Sequence, residues 1–325
     1  MKKIDVEDFS KKELQEAMAA ASEKNLISFA DRREKILKHM EQGRELTGFT
    51  LPWPKTFNHI RIRPGELSVL CGFSGAGKST TANQILLWAA RHGDQTNAES
   101  SKAKVGICSF EMPMEDIAEC MMSQTAGLAT GKPDVEFQNK FLDWSETKFI
   151  VLDQLGVTPA LRVLGSIVAL VKAGCDIVAV DSLMFCGGVT HDLEAEEQFC
   201  QALCGIARLY QVHIMLIHHS RKGDESAPPT KDMVKGTGGI TDMASTVYLV
   251  WADKYRSHLI RKRDEFARNL TEKESKYIEK TCSNKLLVVK QRYGRFEDAL
   301  SLWAHPSRQF LQSAGSEVMK FDFQV

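Results

Sequence analysis

Eight residues in the first quarter of the chain have the types and spacing of a phosphate-binding loop. Positions 72–79 are Gly-Phe-Ser-Gly-Ala-Gly-Lys-Ser, and a threonine follows. This stretch fits G-x-x-x-x-G-K-[ST], in which glycines allow turns that a Cβ would obstruct and backbone N–H groups surround phosphates. In such a loop Lys78 reaches the β- and γ-phosphates and the Ser79 hydroxyl holds Mg²⁺. The sequence therefore predicts a nucleoside triphosphate site formed by Gly72, Ser74, Gly75, Ala76, Gly77, Lys78, Ser79 and Thr80.

Two carboxylates follow apolar runs that have the character of buried strands. Asp181 ends the run Ile177–Val180, and Glu111 follows the run Val105–Phe110. The carboxyl ends of parallel strands meet at one edge of a sheet, where α/β proteins bind ligands. Asp181 is therefore predicted to hold Mg²⁺ together with Ser79, and Glu111 to orient or deprotonate water. The alternatives are an aspartate that caps a turn and a glutamate that favours a helix N-terminus.

Alternating strands and helices must position these residues. The apolar strands lack period-2 alternation, as expected when helices cover both faces of a mainly parallel sheet. Predicted strands are Leu67–Cys71, Val105–Phe110, Phe149–Leu152, Ile177–Asp181, Val212–Ile217 and Thr246–Trp251. Predicted helices are Ser79–Ala90, Met114–Ala126, Pro159–Lys172 and Glu194–Tyr210. The predicted fold class is thus α/β, with an α/β core over residues 51–313.

The flanking segments differ from this core. Residues 1–50 carry two helix-start signals, Ser10–Glu13 and Ser28–Asp31, followed by apolar stripes too narrow to form a core alone. This short N-terminal helical arm must dock on its own domain or on a neighbouring subunit. The charge-rich stretch Lys254–Lys285 predicts an exposed helical insertion, and a terminal hairpin follows it. Residues 314–325 form a predicted C-terminal tail.

Composition narrows the class of protein. Lysines and arginines balance aspartates and glutamates at 42 each, so no global field draws the chain to nucleic acid or to a membrane surface. The eight cysteines include no C-x-x-C pair, which favours reduced thiols and a cytoplasmic protein, in the host cytoplasm if a phage encodes it. The longest apolar stretch, Val163–Val171, is far shorter than a membrane span, so no membrane association is expected.

Five segments together resemble one protein family. Phe110–Pro113 is similar to the "LEMP" element of DnaB-type hexameric replicative helicases, and Asp181–Leu183 occupies their Walker B place. Ile217–Lys222 matches a strand ending in a polar γ-phosphate sensor. Asp232–Ile240 resembles the "L-R-G-S-G" loop that borders the DNA channel in this family. Lys290–Gly294 resembles the family's "K-x-R" hairpin. The motifs occur in the family's order over residues 48–310. With a histidine at the sensor position, the sequence is most similar to one branch of the family, the helicase halves of T-odd phage primase–helicases and of Twinkle.

The resemblance implies a RecA-like P-loop NTPase core in a ring, usually a hexamer, that moves 5′–3′ along single-stranded DNA with Mg²⁺ and ATP or dTTP. It implies that Glu111 is the catalytic base and that His219, rather than His218, senses the γ-phosphate. Arg292 would reach the next subunit's active site, with Lys290 adding charge there. Residues implied to contact DNA are Arg221, Lys222, Lys231, Lys235, Gly236 and Gly238.

The resemblance also implies partners. These are a replicative polymerase, a primase or a single-strand-binding protein, and the aromatic tail Phe321–Val325 is a candidate docking peptide. No primase segment precedes the motor motifs, so no priming activity is expected from this chain. The loop Gly187–His191 is a second candidate for DNA contact.

Two other functions remain open at this point. A RecA-like recombinase or recombination mediator shares the core but forms filaments and pairs strands. A nucleotide-dependent loading factor would keep Lys78 and Asp181 but would need no residue acting on a neighbour's site. The basic hairpin around Arg292 and the context of Glu111 favour the helicase. Three of the implied functional features also have a purely structural interpretation. The loop that carries Arg221 would then be solvated, the hairpin with Arg292 would be a basic surface hairpin, and His219 would be a core histidine.

Overall fold

A nine-stranded sheet forms the centre of the fold in the computed structural model, which describes residues 28–42, 47–97, 101–189, 192–221, 223–234, 238–264 and 269–323. Its strand order is β11-β10-β9-β8-β1-β7-β5-β2-β3. The strands are β1 (Leu67–Gly72), β2 (Val105–Ser109), β3 (Phe149–Asp153), β5 (Ile177–Asp181), β7 (His213–His219), β8 (Thr246–Ala252), β9 (Asn284–Gln291), β10 (Ala299–Ala304) and β11 (Phe310–Leu311). A separate pair joins β4 (Thr158–Pro159) to β6 (Cys186–Gly187).

Helices pack on both faces of this sheet. They are α1 (Arg33–Gln42), α2 (Lys78–His92), α3 (Met114–Ala126), α4 (Val135–Glu146), α5 (Ala160–Lys172), α6 (Leu193–Tyr210), α7 (Gly238–Met243), α8 (Lys254–Asp264) and α9 (Glu272–Lys280). One apolar cluster joins α2, α3 and α4 to the sheet, and a second joins α5 and α6 to its other face. Every residue of β1, β2 and β5 is buried, which explains why these strands lack alternation. None of the helices in the described ranges is long and apolar enough to cross a membrane.

The sheet is mainly parallel, as predicted, and the RecA-like α/β fold class is confirmed. The six strands from β3 to β8 run parallel, whereas β9, β10 and β11 add antiparallel pairs at one side. The helix Met114–Ala126 has its predicted bounds, and the insertion folds as α8 and α9. Helix α4 was not predicted. It starts where the Asp134 carboxylate accepts a hydrogen bond from the backbone N–H of Phe137.

The C-terminal tail packs against its own domain. Phe321 and Phe323 are buried, and both rings contact Trp144 of α4, with centroids 5.6 and 5.3 Å from the indole. The backbone N–H of Phe321 donates to the carbonyl of Thr125. The interpretation of these aromatics as a free docking peptide is therefore wrong, because their apolar surface already lies in the core of this chain.

Helix α1 keeps an apolar surface in solvent. The Ser28 hydroxyl and backbone N–H both donate to the Asp31 carboxylate, which confirms the second helix-start signal. Leu37 and Met40 of α1 are 54 and 75% exposed, and Phe29, which precedes the helix, is 89% exposed. Within the described residues, this apolar surface is therefore not covered by the chain's own core. The first helix-start signal, Ser10–Glu13, lies outside the described residues.

Candidate nucleotide and catalytic site

The glycine-rich loop lies between β1 and α2, at the carboxyl end of a central strand. Gly77 has φ +91° and precedes the helix, where a side chain would strain the backbone. A Cβ on Gly72 would lie 2.4 Å from the carbonyl oxygen of Val250 on the neighbouring strand, so only glycine fits there. The N-terminus of α2 has no side-chain cap, which leaves its first-turn N–H groups available to an anion. Ser74 and Gly75 are exposed at the loop tip, and Ser79 and Thr80 are half-buried in the first turn of α2.

Lys78 is held inside this loop. Its ammonium Nζ donates to the carbonyl of Phe73 at 3.1 Å and lies 3.4 Å from Nδ1 of His219. Burial lowers the pKa of Lys78, and the nearby carboxylate of Asp181 opposes that shift. A buried ammonium with few anionic neighbours is poised to receive a strongly negative ligand, and a polyphosphate is such a ligand.

The side-chain oxygens of Ser79 and Asp181 lie next to each other. The Ser79 hydroxyl, in the first turn of α2, donates to Oδ2 of Asp181, at the end of β5, at 2.6 Å. Burial raises the pKa of Asp181, and the hydrogen bond from Ser79 partly offsets that shift. Carboxylate and hydroxyl oxygens are ligands that Mg²⁺ prefers, so the residues present fit this ion. Within the described residues, no cluster of three or more His, Cys, Asp or Glu side chains is arranged as a metal site of another kind.

Glu111 and His219 complete the group at this edge of the sheet. Oε2 of Glu111 lies 3.9 Å from Nε2 of His219, so the imidazole stands between the glutamate and Lys78. The glutamate side chain is 48% exposed, which leaves it accessible to water. His218, which precedes His219 in the chain, is by contrast buried, with 1% exposure. The ends of β1, β5, β2 and β7 thus bring together Lys78, Ser79, Asp181, Glu111 and His219.

The candidate DNA loop follows β7. The backbone N–H of Arg221 donates to the carbonyl of Met233, and Ser220 bridges Val234, so the loop closes on itself. The Arg221 side chain is exposed, and the ammonium of Lys231 lies 3.8 Å from Oδ1 of Asp242. Gly238 begins helix α7 instead of lying in a loop. The other predicted residues of this loop and the end of the second candidate loop lie outside the described residues: Lys222, Lys235, Gly236, Thr190 and His191.

Lys290 and Arg292 lie at the opposite edge of the sheet from the glycine-rich loop. The ammonium of Lys290 donates to the carbonyls of Thr241 and Asp242, and Nη2 of Arg292 donates to that of Asp242. These carbonyls are at the C-terminal end of α7, where cations are favourable. The backbone N–H of Arg292 donates to Ser245, which in turn bonds the first residue of β1. The basic pair therefore does not join the site of its own subunit.

Three residues that contact the glycine-rich loop or the first turn of α2 were not predicted from the sequence. Asn284 donates to the carbonyl of Ala76, the ring of Phe310 lies against Gly77, and the amide of Gln124 donates to the carbonyl of Thr80. The one signal in the sequence was Asn284 itself, since this polar residue stands on the same strand face as the apolar Leu286 and Val288.

Comparison with known proteins identifies the sequence family and the fold. Residues 32–225 match the AAA domain family. The structure is similar to a solved ATPase domain, with a TM-score of 0.69 and 13% identity over 88% of this chain and 99% of that one. It is also similar to a DnaB-like replicative helicase, with a TM-score of 0.64 and 14% identity over 93% of this chain and 71% of that one. At these identities the likeness establishes a shared fold. No curated protein matches the sequence.

Proposed function

This chain belongs to the AAA domain family, and on that premise we propose that it is a ring-forming NTP hydrolase that translocates on single-stranded DNA and separates strands. The observation that carries the proposal is the division of the predicted catalytic residues between two edges of one sheet. Lys78, Ser79 and Asp181 meet Glu111 and His219 at one edge, and Arg292 lies at the other. A site divided in this way is complete only where two subunits meet.

Each residue at the nucleotide edge has a separate task. Lys78 and the loop N–H groups bind the phosphates, and Ser79 and Asp181 hold Mg²⁺. The ion, when bound, neutralises charge on the phosphate oxygens. Glu111 orients water and accepts its proton, since it is accessible to solvent and close to the predicted γ-phosphate position. His219 contacts both Lys78 and Glu111 and directly precedes the candidate DNA loop. Gain or loss of the γ-phosphate can therefore move His219 and, through it, the start of that loop.

Arg292 is proposed to act on the neighbouring subunit. A planar guanidinium spreads over the charge of the transferring phosphoryl group, an effect of roughly 10³–10⁵ in rate. The resemblance assigns Lys290 a similar role, in which its ammonium adds charge to the same neighbouring site. In the isolated subunit both cations rest on carbonyls of α7, which a neighbour's phosphates would replace as partners.

DNA binding is proposed for the loop between β7 and α7. Arg221, Lys222, Lys231 and Lys235 supply cations suited to the backbone of a single strand. Gly236, and Gly238 at the start of α7, carry no side chain that would obstruct a close approach of the strand. Several copies of this loop around one pore would create a basic channel in a chain whose net charge is zero. Loop contacts of this kind read the phosphate backbone and predict sequence-independent binding.

Assembly into a ring, proposed to be a hexamer, is supported by the exposed surface of α1. Phe29, Leu37 and Met40 leave apolar area in water that a second copy of the chain would cover. The domain limits proposed from the sequence are an arm over residues 1–50, a motor core over 51–313 and a terminal segment over 314–325. The proposed surroundings are the cytoplasm and a replication complex with a polymerase, a primase or a single-strand-binding protein.

Strand displacement on a forked DNA duplex tests the proposal. We expect the wild type to unwind the fork with Mg²⁺ and either ATP or dTTP, and the Lys78→Ala variant to leave it intact. Lys285→Ala is the matched control, because that lysine lies over the ring of Trp251 and does not contact the glycine-rich loop. Nucleotide hydrolysis that single-stranded DNA stimulates without any unwinding would contradict the helicase and favour a recombinase-like protein.

A further inference from the structure

One peptide of the glycine-rich loop is held from outside by two residues of the terminal strands. Nδ2 of Asn284 donates to the carbonyl oxygen of Ala76 at 3.3 Å, although 208 residues separate the two along the chain. On the next residue, a Cβ built on Gly77 would lie 2.8 Å from Cζ of Phe310. Both Asn284 and Phe310 are buried, so neither contact depends on a mobile surface side chain.

The position of Asn284 is one where an apolar residue is expected. It is the first residue of β9, and it lies on the same face of the strand as Leu286 and Val288, which belong to the core beneath α2. Burial of an amide in such a place is costly unless the amide is hydrogen-bonded. The contact with Ala76 provides that bond, so the asparagine is explained by the loop and not by the strand.

Phe310 is itself fixed. Its backbone N–H donates to Oε1 of Gln84 on α2, and its carbonyl accepts from Nε2 of the same glutamine and from the indole of Trp53. These three bonds have lengths of 2.8, 3.1 and 2.7 Å. These bonds hold the backbone of Phe310 against α2, and this position places its ring beside Gly77.

Fixing the carbonyl of Ala76 also fixes the N–H of Gly77. The peptide between them is trans, so its C=O and N–H point to opposite sides of one plane. With the oxygen bound to Asn284 on the outer side, the N–H is directed to the inner side of the loop, where such loops cradle the α- and β-phosphates. We infer that Asn284 is a positioning residue that holds the Ala76–Gly77 peptide in its phosphate-binding orientation, with Phe310 limiting movement of Gly77.

The inference deepens the proposed function, since it rests on nucleotide binding by this loop. Its test is the affinity for Mg·ADP and Mg·ATP, measured by titration calorimetry on the full chain. Asn284→Leu removes the hydrogen-bond donor and puts an apolar side chain of similar size in its place. We expect it to weaken both affinities about tenfold, the loss typical of one positioned hydrogen bond. The two nucleotides should be affected equally, because both carry the α- and β-phosphates.

Ser283→Ala is the matched control. Ser283 is the buried neighbour of Asn284, and its hydroxyl bonds the carbonyl of Leu302 and the N–H of Ala304 but not the glycine-rich loop. It should lower the unfolding temperature and leave the affinity for Mg·ADP within about twofold of wild type. If Asn284→Leu does not fold, Asn284→Ser replaces it, because the shorter side chain cannot reach Ala76.

The outcomes distinguish a failure of the positioning role of Asn284 from a failure of nucleotide binding by the loop. Wild-type affinity in the Asn284 variants, or an equal loss in Ser283→Ala, overturns the positioning role and leaves nucleotide binding intact. If the wild type binds neither nucleotide more tightly than Lys78→Ala does, nucleotide binding itself fails, and with it the proposed function.

Discussion

Replacement of Arg292 by alanine tests whether the site is completed by a neighbour. The backbone of Arg292 is tied to Ser245, which bonds the first residue of β1, whereas the glycine-rich loop follows the last. Five residue steps along β1 at about 3.3 Å place these ends about 17 Å apart. An arginine side chain reaches about 7 Å at about 1.5 Å a bond, so Arg292 cannot reach Lys78 of its own subunit. Its effect on hydrolysis must therefore come through a second copy.

We expect Arg292→Ala to lower kcat for nucleotide hydrolysis by about 10³-fold and to leave the Kd for Mg·ADP within about twofold. Lys78→Ala should lose nucleotide binding at its own site but still present Arg292. Rings assembled from equal amounts of the two variants contain about one quarter of interfaces with an intact loop facing an intact arginine. DNA-independent hydrolysis by the mixture, measured as phosphate release, should therefore recover toward about one quarter of wild type.

Two control variants separate charge from structure. Arg295→Ala removes an exposed arginine from the same hairpin and should hydrolyse normally. Arg292→Lys keeps a donor for the carbonyl of Asp242, so α7 should stay capped, yet it lacks the planar fork and should remain slow. Near-wild-type hydrolysis by Arg292→Ala alone, or a mixture as inactive as either variant, would refute action in trans.

Three further perturbations follow from burial and charge. Asp181→Asn should raise the unfolding free energy of the nucleotide-free protein at about pH 8, measured by urea unfolding. Burial raises the pKa of Asp181, so the ionised carboxylate destabilises the fold and the neutral amide does not. The gain in unfolding free energy should therefore vanish as acid protonates the carboxyl of the wild type. A gain that persists in acid would contradict this. Leu37→Glu with Met40→Glu should reduce the assembly to single subunits in light scattering, and an unchanged mass would exclude α1 from the interface. Phe323→Ala should cost about 3 kcal/mol of unfolding free energy, whereas a neutral effect would restore the tail as a free peptide.

The nucleotide edge of the fold was predictable because its signals are local. The glycine spacing before Lys78 and the apolar runs that end at Asp181 and Glu111 each lie within one strand and its following turn. A parallel sheet then brings strand ends together without further information. The close approach of Ser79 to Asp181, at 2.6 Å, is the expected consequence.

What the sequence did not reveal depends on distant pairs. Helix α4 has a charged, mixed surface, and its aromatic face packs against Phe149 of β3 and against Phe321 and Phe323 from the end of the chain. The tail looked free for the same reason, because nothing near Phe321 in sequence indicates Trp144 as its partner. The contact of Asn284 with Ala76 joins residues that are 208 positions apart, and no local sequence pattern predicts such a pairing.

Strand β9 carries a consequence for a closed ring. It begins at Asn284, which contacts the glycine-rich loop of its own subunit, and leads directly to Arg292, which is proposed to act on the next subunit. Hydrogen bonds to β8 on one side and β10 on the other stiffen it over a length of about 24 Å, seven residue steps at about 3.4 Å each. In the ring proposed above, each copy of β9 would therefore connect one nucleotide site to the arginine that serves the next site, and the direction of the strand would orient all of these connections in the same sense around the ring.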